Sequence, residues 1–334
     1  MVTRESVLLG CDSLSSATDW VFFPYRDGSL YAKDGEGNNI LDGEGNRVIS
    51  VPHSQVEQVV TTVFGGARKM FCLYEDPDTK VAAVTSGSAT LQGETIADIA
   101  RRFTRSTVTS TFNTVEEVAR WFYAFTRDVW EADVGFANIP EEMRKYLSTV
   151  QFLVGGIGRD DASGQVFRLD IKSEICESQF RPDDPYGICW AGQSDFVERL
   201  LRGADQAMIY RAGREIVKAQ MDQRNAVLAS VSRALEAAGV IVPEGLEVNI
   251  EETTAPSIPW NAANASIDFG NLPLQHAVDF TSLLVNTQSG MQKFARGIPT
   301  VGGRTHVGVI QRGDKFRMLN ELDLIHSHTG YADV

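Results

Sequence analysis

The chain has 334 residues, 43% of them hydrophobic and 22% charged, which is enough apolar material for a sizeable buried core. It carries 44 Asp and Glu against 31 Lys and Arg, a net charge of −13 at pH 7. A field of that sign repels phosphate backbones and anionic lipid surfaces, so neither nucleic acid nor membrane is expected as a partner. No apolar run has the length of a bilayer span, and no charged-then-apolar leader opens the sequence, so a cytoplasmic protein is expected. The four cysteines, Cys11, Cys72, Cys176 and Cys189, lack Cys-x-x-Cys spacing and read as reduced thiols.

The run from Val7 to Asp12, Val-Leu-Leu-Gly-Cys-Asp, reads as a buried strand that delivers an acid to its far end. A second strand begins at Trp20. Then Asp34-Gly-Glu-Gly-Asn38 returns as Asp42-Gly-Glu-Gly-Asn46. Gly and Asn tolerate positive φ, so each copy reads as a turn between short strands. These acids lack the ligand spacing of an EF-hand loop, and no metal is expected there. Two apolar strands follow, from Lys69 and from Lys80, joined by the turn Glu75–Thr79. Leu91, Ile96, Ile99 and Phe103 are spaced to share one side of a helix. Thr114-Val-Glu-Glu117 is a capping box that opens a second helix, with Val118, Phe122, Phe125 and Val129 at helical spacing.

Val150–Gly158 is a near-continuous apolar run, the mark of a strand buried on both faces. Gln165–Ile171 pairs with it across a turn at Arg159–Gly164. A further strand over Gly187–Gly192 leads into a short helix at Ser194–Leu201. Asp205 to Gly239 reads as one long helix, stopped by Gly239 and Pro243. Its Met208, Ile209, Ala212, Ile216 and Val217 interleave with Arg211, Arg214, Lys218 and Arg224. That pattern reads as packing over its own domain, with a subunit contact as the sharper alternative. Strand and loop are expected over 240–270. A last helix from Pro273 carries Ala277, Phe280, Leu284 and Met291, and strands from Thr305 and Lys315 close the chain.

Strands bunch together instead of alternating with helices, which argues against a doubly wound parallel sheet. An α+β fold with two sheets packed face to face, each covered outside by helices, fits this order. One domain spanning 1–334 is expected, with a hairpin insertion near 19–60 and a helix-plus-loop insertion near 204–270. No Gly-x-Ser-x-Gly, P-loop, dinucleotide fingerprint or His-Glu-x-x-His occurs, so no cofactor is expected. His326 and His328 read as part of a polar tail, and His53, His276 and His306 lie far apart in the sequence.

In this order the segments resemble proteasome-type N-terminal nucleophile (Ntn) hydrolases, the β-subunits of the 20S core particle and the bacterial HslV peptidase. Val7–Ala17 is similar to the family's second strand and its acidic end, and Ala67–Leu73 to the strand entry that bears a lysine. Ala82–Phe103 is similar to the strand, glycine turn and first helix that follow. Phe152–Asp170 resembles the paired central strands, Trp190–Leu201 the turn into a later helix, and Gly302–Ile310 the closing strand. Residues near 19–60 and 204–270 fall outside the resemblance.

The resemblance implies a four-layer αββα sandwich and threonine-type proteolysis. In that chemistry an N-terminal Thr, Ser or Cys is activated by its own α-amine. The amine must be neutral to accept a proton, and its ordinary pKa is about 8, so a nearby cation helps. A lysine supplies the charge, an aspartate holds the lysine, and a backbone N–H at a strand-to-helix turn stabilises the oxyanion. Carried over by motif, Asp12 is the orienting acid, Lys69 the cation and Gly87 the oxyanion turn. On the residues alone, Asp12 also reads as a strand-end turn residue, Lys69 as a surface lysine and Gly87 as a plain tight turn.

The chain departs from the pattern at its start. The family has a complete strand ahead of the one ending in the acid, whereas only Met1–Ser6 precede Val7. Thr3 is the hydroxyl nearest the start and falls where the family's first strand ends, and Val2 cannot be a nucleophile. The family's acid and serine that position the terminal amine match Ile298 and Val301, and the serine before the later glycine matches Ala191. Two expectations follow: a threonine-type peptidase translated from a start upstream of Met1, or a noncatalytic subunit that helps to build a ring. Both imply a homo-oligomer. The first also implies a peptide or unfolded-protein substrate, and leaves an ATP-driven unfoldase open.

Overall fold

The computed structural model describes residues 1–22, 31–50, 56–240, 264–295 and 298–319, with the side chains of 18–22 and 56–59 left aside. The chain divides into two compact units, Met1–Gly192 with Phe269–Val334, and Gln193–Asp268.

The first unit holds, in chain order, β1 (Ser6–Cys11), β2 (Ser15–Phe22), β3 (Val56–Phe64), β4 (Met70–Glu75), β5 (Lys80–Gly87), β6 (Thr90–Leu91) and β7 (Glu94–Thr95). Next come α1 (Ile96–Ser106), α2 (Val115–Val134), α3 (Glu141–Arg144), β8 (Val150–Ile157), β9 (Gln165–Asp170) and β10 (Ile175–Ser178). The second unit contributes α4 (Asp195–Arg202) and α5 (Gln206–Ala237), after which the first unit resumes with α6 (Leu274–Gln292), β11 (His306–Gln311) and β12 (Arg317–Leu319). Five strands form an antiparallel sheet in the order β10-β9-β8-β5-β4, and three form another in the order β1-β11-β12. The fold is mixed α+β with antiparallel sheets and six α-helices among the described residues.

Strand alternation assigns each side chain to one of three cores. On one face of the five-stranded sheet, Phe71, Leu73, Val81, Phe152, Val154, Phe167 and Leu169 pack with Ile99 and Phe103 of α1 and Val118 and Phe122 of α2. Edge-on ring contacts join these elements, Phe103 to Phe122 at 5.0 Å and Phe122 to Phe152 at 4.8 Å. On its other face Met70, Ala82, Val84, Leu153 and Val166 meet Val7, Leu9 and Cys11 of β1 and Ile310 of β11. Leu8, Val307 and Val309, pointing the opposite way from the same two strands, pack with Ala277 of α6. Gly10 is part of that fit: a Cβ there would lie 2.6 Å from Thr281 Cγ2 on α6.

Several local expectations meet their outcome here. Thr114 caps α2 with both halves of the capping box formed. Leu91 is not on α1; it lies on the β6–β7 hairpin, buried in the same core. Gly187–Gly192 is not a strand: its ladder partner is limited to a bridge between Gly187 and Val2, and Cys189 and Ala191 pack against the inter-sheet core as irregular chain. The two Asp-Gly-Glu-Gly-Asn copies form matching turns. Asp34 Oδ1 accepts from the Glu36 and Asn38 amides, Asp42 Oδ1 from those of Glu44 and Asn46, and Gly37 and Gly45 sit at φ +87° and +86°.

In the second unit α4 ends at Gly203, with φ +77°, and Asp205 caps α5 by accepting the Met208 amide at 2.7 Å. None of the 32 residues of α5 is buried. Among the described residues no helix is long and apolar enough to cross a membrane, and no cluster of three His, Cys, Asp or Glu could hold a metal ion. His53, His326, His328 and most of the expected strand and loop over 240–270 lie outside the described residues.

Candidate active site

β1 carries Val7, Leu9 and Cys11 into the inter-sheet core, and the chain leaves the strand at Asp12. Its carboxylate is held from three directions. Lys69 Nζ donates to Oδ1 at 2.6 Å, while the amides of Leu14 and Gly302 donate to Oδ2 at 3.1 and 2.9 Å. Lys69 stands directly before β4, and its carbonyl accepts the Thr85 amide from β5 at 2.9 Å. The two side chains are 12% and 19% exposed, so the pair is more shielded from water than a surface ion pair. The β1 exit is stitched to the loop before β11 a second time. Ser13 N donates to Gly302 O at 3.1 Å, and the Arg304 amide donates to Ser13 Oγ at 2.8 Å.

The neighbouring thiol takes no part in this charge pairing. Burial pushes Cys11 up to about 12, the Asp12 carboxylate adds to the rise, and Lys69 opposes it. It remains a protonated core thiol at neutral pH.

Gly87 ends β5 opposite Val150, two residues beyond Thr85, at φ +91°. A Cβ there would lie 2.3 Å from the Thr149 carbonyl oxygen, which accepts the Ser88 amide, so the position requires glycine. The adjoining Ser86 Oγ is buried without a hydrogen-bond partner among the described residues, and Gly192, also at positive φ, approaches Ser86 closely. The structure therefore brings Asp12 and Lys69 into contact and sets Gly87 further along the strand bonded to Lys69.

At the start of the chain Met1 and Leu8 exchange backbone hydrogen bonds, each 2.9 Å, and Val2 bridges both Val7 and Gly187. Burial holds the Met1 amine below its ordinary pKa. Thr3 Oγ1 accepts the Ser6 and Glu5 amides at 3.1 and 3.3 Å and is buried, so this hydroxyl is occupied in the turn into β1. Two groups escaped sequence reasoning. One is the Gly302 amide. The other is Gln292, whose Oε1 accepts the amides of Thr300 and Val301 at 3.0 and 3.2 Å and the Thr300 hydroxyl at 3.3 Å. A backbone donor and a helix-end glutamine carry no motif by which a sequence could reveal them.

A scan of the sequence against known protein families gives no match, and neither does a search among curated proteins. Among solved structures the chain is similar to Anbu (ancestral beta-subunit) from Yersinia bercovieri, at TM-score 0.45 and 10% identity, over 96% of this chain and 86% of that one. It is similar to the Anbu (Gly-1) mutant from Hyphomicrobium sp. strain MC1 at the same values. Anbu from that strain in another form gives TM-score 0.41 and 9% identity, over 95% and 89% of the two chains. The resemblance to 20S β-subunits and HslV is corrected accordingly: these three solved structures are Anbu proteins, a distinct proteasome-like family.

Proposed function

We propose that this chain has the four-layer αββα sandwich of Ntn hydrolases, as one domain with insertions near 19–60 and 204–270. Its activity would be that of a threonine-type peptidase, with the nucleophile on an in-frame strand encoded upstream of Met1. The observation that carries this reading is the ion pair between Lys69 and Asp12, residues 57 apart in sequence, at the end of β1. In this chemistry an ammonium fixed by a carboxylate lowers the cost of keeping a terminal amine neutral, and so of letting it act as a base.

The register at the chain start supports the same reading. Met1 lies opposite Leu8 and Val2 opposite Val7, so each residue further upstream falls opposite one residue further along β1. Asp12 is four residues past Leu8, and a residue four places ahead of Met1 would therefore lie opposite it. Gly87, held at positive φ at the end of β5, is the proposed oxyanion turn. The substrate would be a peptide or unfolded protein, and the assembly a homo-oligomeric ring.

A second reading, a noncatalytic ring subunit, is favoured by Ile298 and Val301, which stand where the resemblance expects an acid and a serine, and by the occupied Thr3 hydroxyl. Hydrolysis of fluorogenic peptides by protein made from the longer reading frame separates the two. Activity is expected from the longer form, and Lys69→Ala is expected to lower it by about a hundredfold or more. Undiminished hydrolysis by the Ala variant would remove Lys69 from the mechanism. A stop codon directly upstream of Met1 would leave the structural role.

A further inference from the structure

We infer that Gln292, the last residue of α6, is a positioning residue for the Asp12–Lys69 pair, acting through the loop Thr300–Gly302. The inference deepens the hydrolase reading and rests on it for its functional meaning. One side-chain oxygen of Gln292 collects three donors from two consecutive residues, Thr300 and Val301. The next amide in the chain, Gly302 N, donates to Asp12 Oδ2, while Asp12 Oδ1 accepts from Lys69. Gly302 O in turn accepts from Ser13 N. The helix end thus fixes the loop, the loop amide fixes one carboxylate oxygen, and the other oxygen is left aimed at the ammonium.

The chemistry of the anchor matters as well as its position. The resemblance expects an acid and a serine in this loop, and the residues at those places, Ile298 and Val301, have apolar side chains. A glutamine amide accepts the loop's donors without adding a negative charge at Val301, the residue before the amide that holds Asp12. A carboxylate in its place would also neutralise part of the field that Lys69 is held there to supply. The loop is therefore anchored by a neutral acceptor, and Asp12 is the carboxylate paired with Lys69 among the described residues.

Limited acetylation of the folded protein, read at Lys69 by peptide mass spectrometry with exposed Lys315 as internal reference, tests this directly. Gln292→Ala is expected to raise the relative rate at Lys69 about fivefold, the equivalent of one lost hydrogen bond. Gln292→Glu keeps the acceptor and adds a charge that favours the ammonium, so its rate is expected at or below that of wild type. An unchanged rate in Gln292→Ala that melts like wild type overturns the inference, and so does an equal rise in the Glu variant. Should Gln292→Ala fail to fold, hydrogen exchange at the Thr300 and Val301 amides of the wild-type protein decides: slow exchange supports the anchor at Gln292, and exchange at the free-peptide rate overturns it. None of these measurements reads hydrolysis. Failure of the peptidase assay therefore tells against the catalytic reading alone, and an indifferent Lys69 tells against the positioning role alone.

Discussion

Asp12 and Asp170 are both carboxylates gripped by several donors, and their partners show what each charge is for. Asp12 holds a cation near the surface of the inter-sheet core, whereas Asp170 holds backbone and neutral side chains. Asp170 accepts Gln151 Nε2 at 2.6 Å, Thr149 Oγ1 at 2.9 Å and the Ser173 amide at 3.2 Å, tying the end of β9 to the start of β8. Burial pushes its carboxyl up, but these donors outweigh burial and hold it below the ordinary value of 3.8. A carboxylate depressed in the folded state contributes stability that is present above its unfolded pKa and lost as the pH falls through the folded one. Asp170→Ala is therefore expected to cost about 1–3 kcal/mol at pH 7. The gap to wild type should narrow as the pH falls below the ordinary carboxylate value, where the unfolded chain takes up the proton before the folded carboxylate does. Urea denaturation of both proteins between pH 7 and pH 3.5 measures this, and a gap that does not move with pH would show that the charge is not what Asp170 contributes.

At the scale of elements, what was legible in the sequence follows how local each determinant is. The α2 helix was legible because its cap and its period lie within twenty residues. Thr114 Oγ1 accepts the Glu117 amide at 3.2 Å, and Glu117 Oε2 accepts the Thr114 amide at 3.1 Å. Thr114→Ala is expected to cost about 1 kcal/mol, read as a lower urea midpoint with an unchanged slope. Gly187–Gly192 is irregular despite its apolar run, because such a run states hydrophobicity but not whether a ladder partner exists, and among the described residues this segment receives a single bridge, from Val2. Leu91 has the spacing of an α1 residue but lies on the β6–β7 hairpin, since a side chain can reach the core that α1 lines from a hairpin beside it. Of the site, Asp12 and Lys69 were legible as an acid and a lysine at two strand ends, through the order of motifs. What holds Asp12 from the other side was not, because the Gly302 amide belongs to every non-proline residue type and acts across 290 residues of sequence.

For the whole molecule, the three cores separate what the fold needs from what it carries. The five-stranded and three-stranded sheets share one apolar interior, and α1, α2 and α6 contribute to the other two. The β2–β3 arm stands apart from this scheme, because its strands pair with each other and form a two-stranded sheet of their own. Further out, the described residues of the arm bond within it, through bridges Tyr31 to Ile49, Lys33 to Asn39 and Leu41 to Arg47, and none of residues 31–50 is buried. Residues 31–50 therefore add little to the burial that opposes chain entropy in the cores. Ala17 and Thr62 are antiparallel partners near its base, so a two-residue Asn-Gly turn can join them in place of residues 18–61. The shortened protein is expected to unfold in one cooperative transition with its midpoint within about 4 °C of wild type, since a shift of that size corresponds to about 1–2 kcal/mol. Differential scanning calorimetry reads both quantities. A loss of cooperativity, or a fall much larger than this, would mean that the arm is built into the fold instead of carried by it.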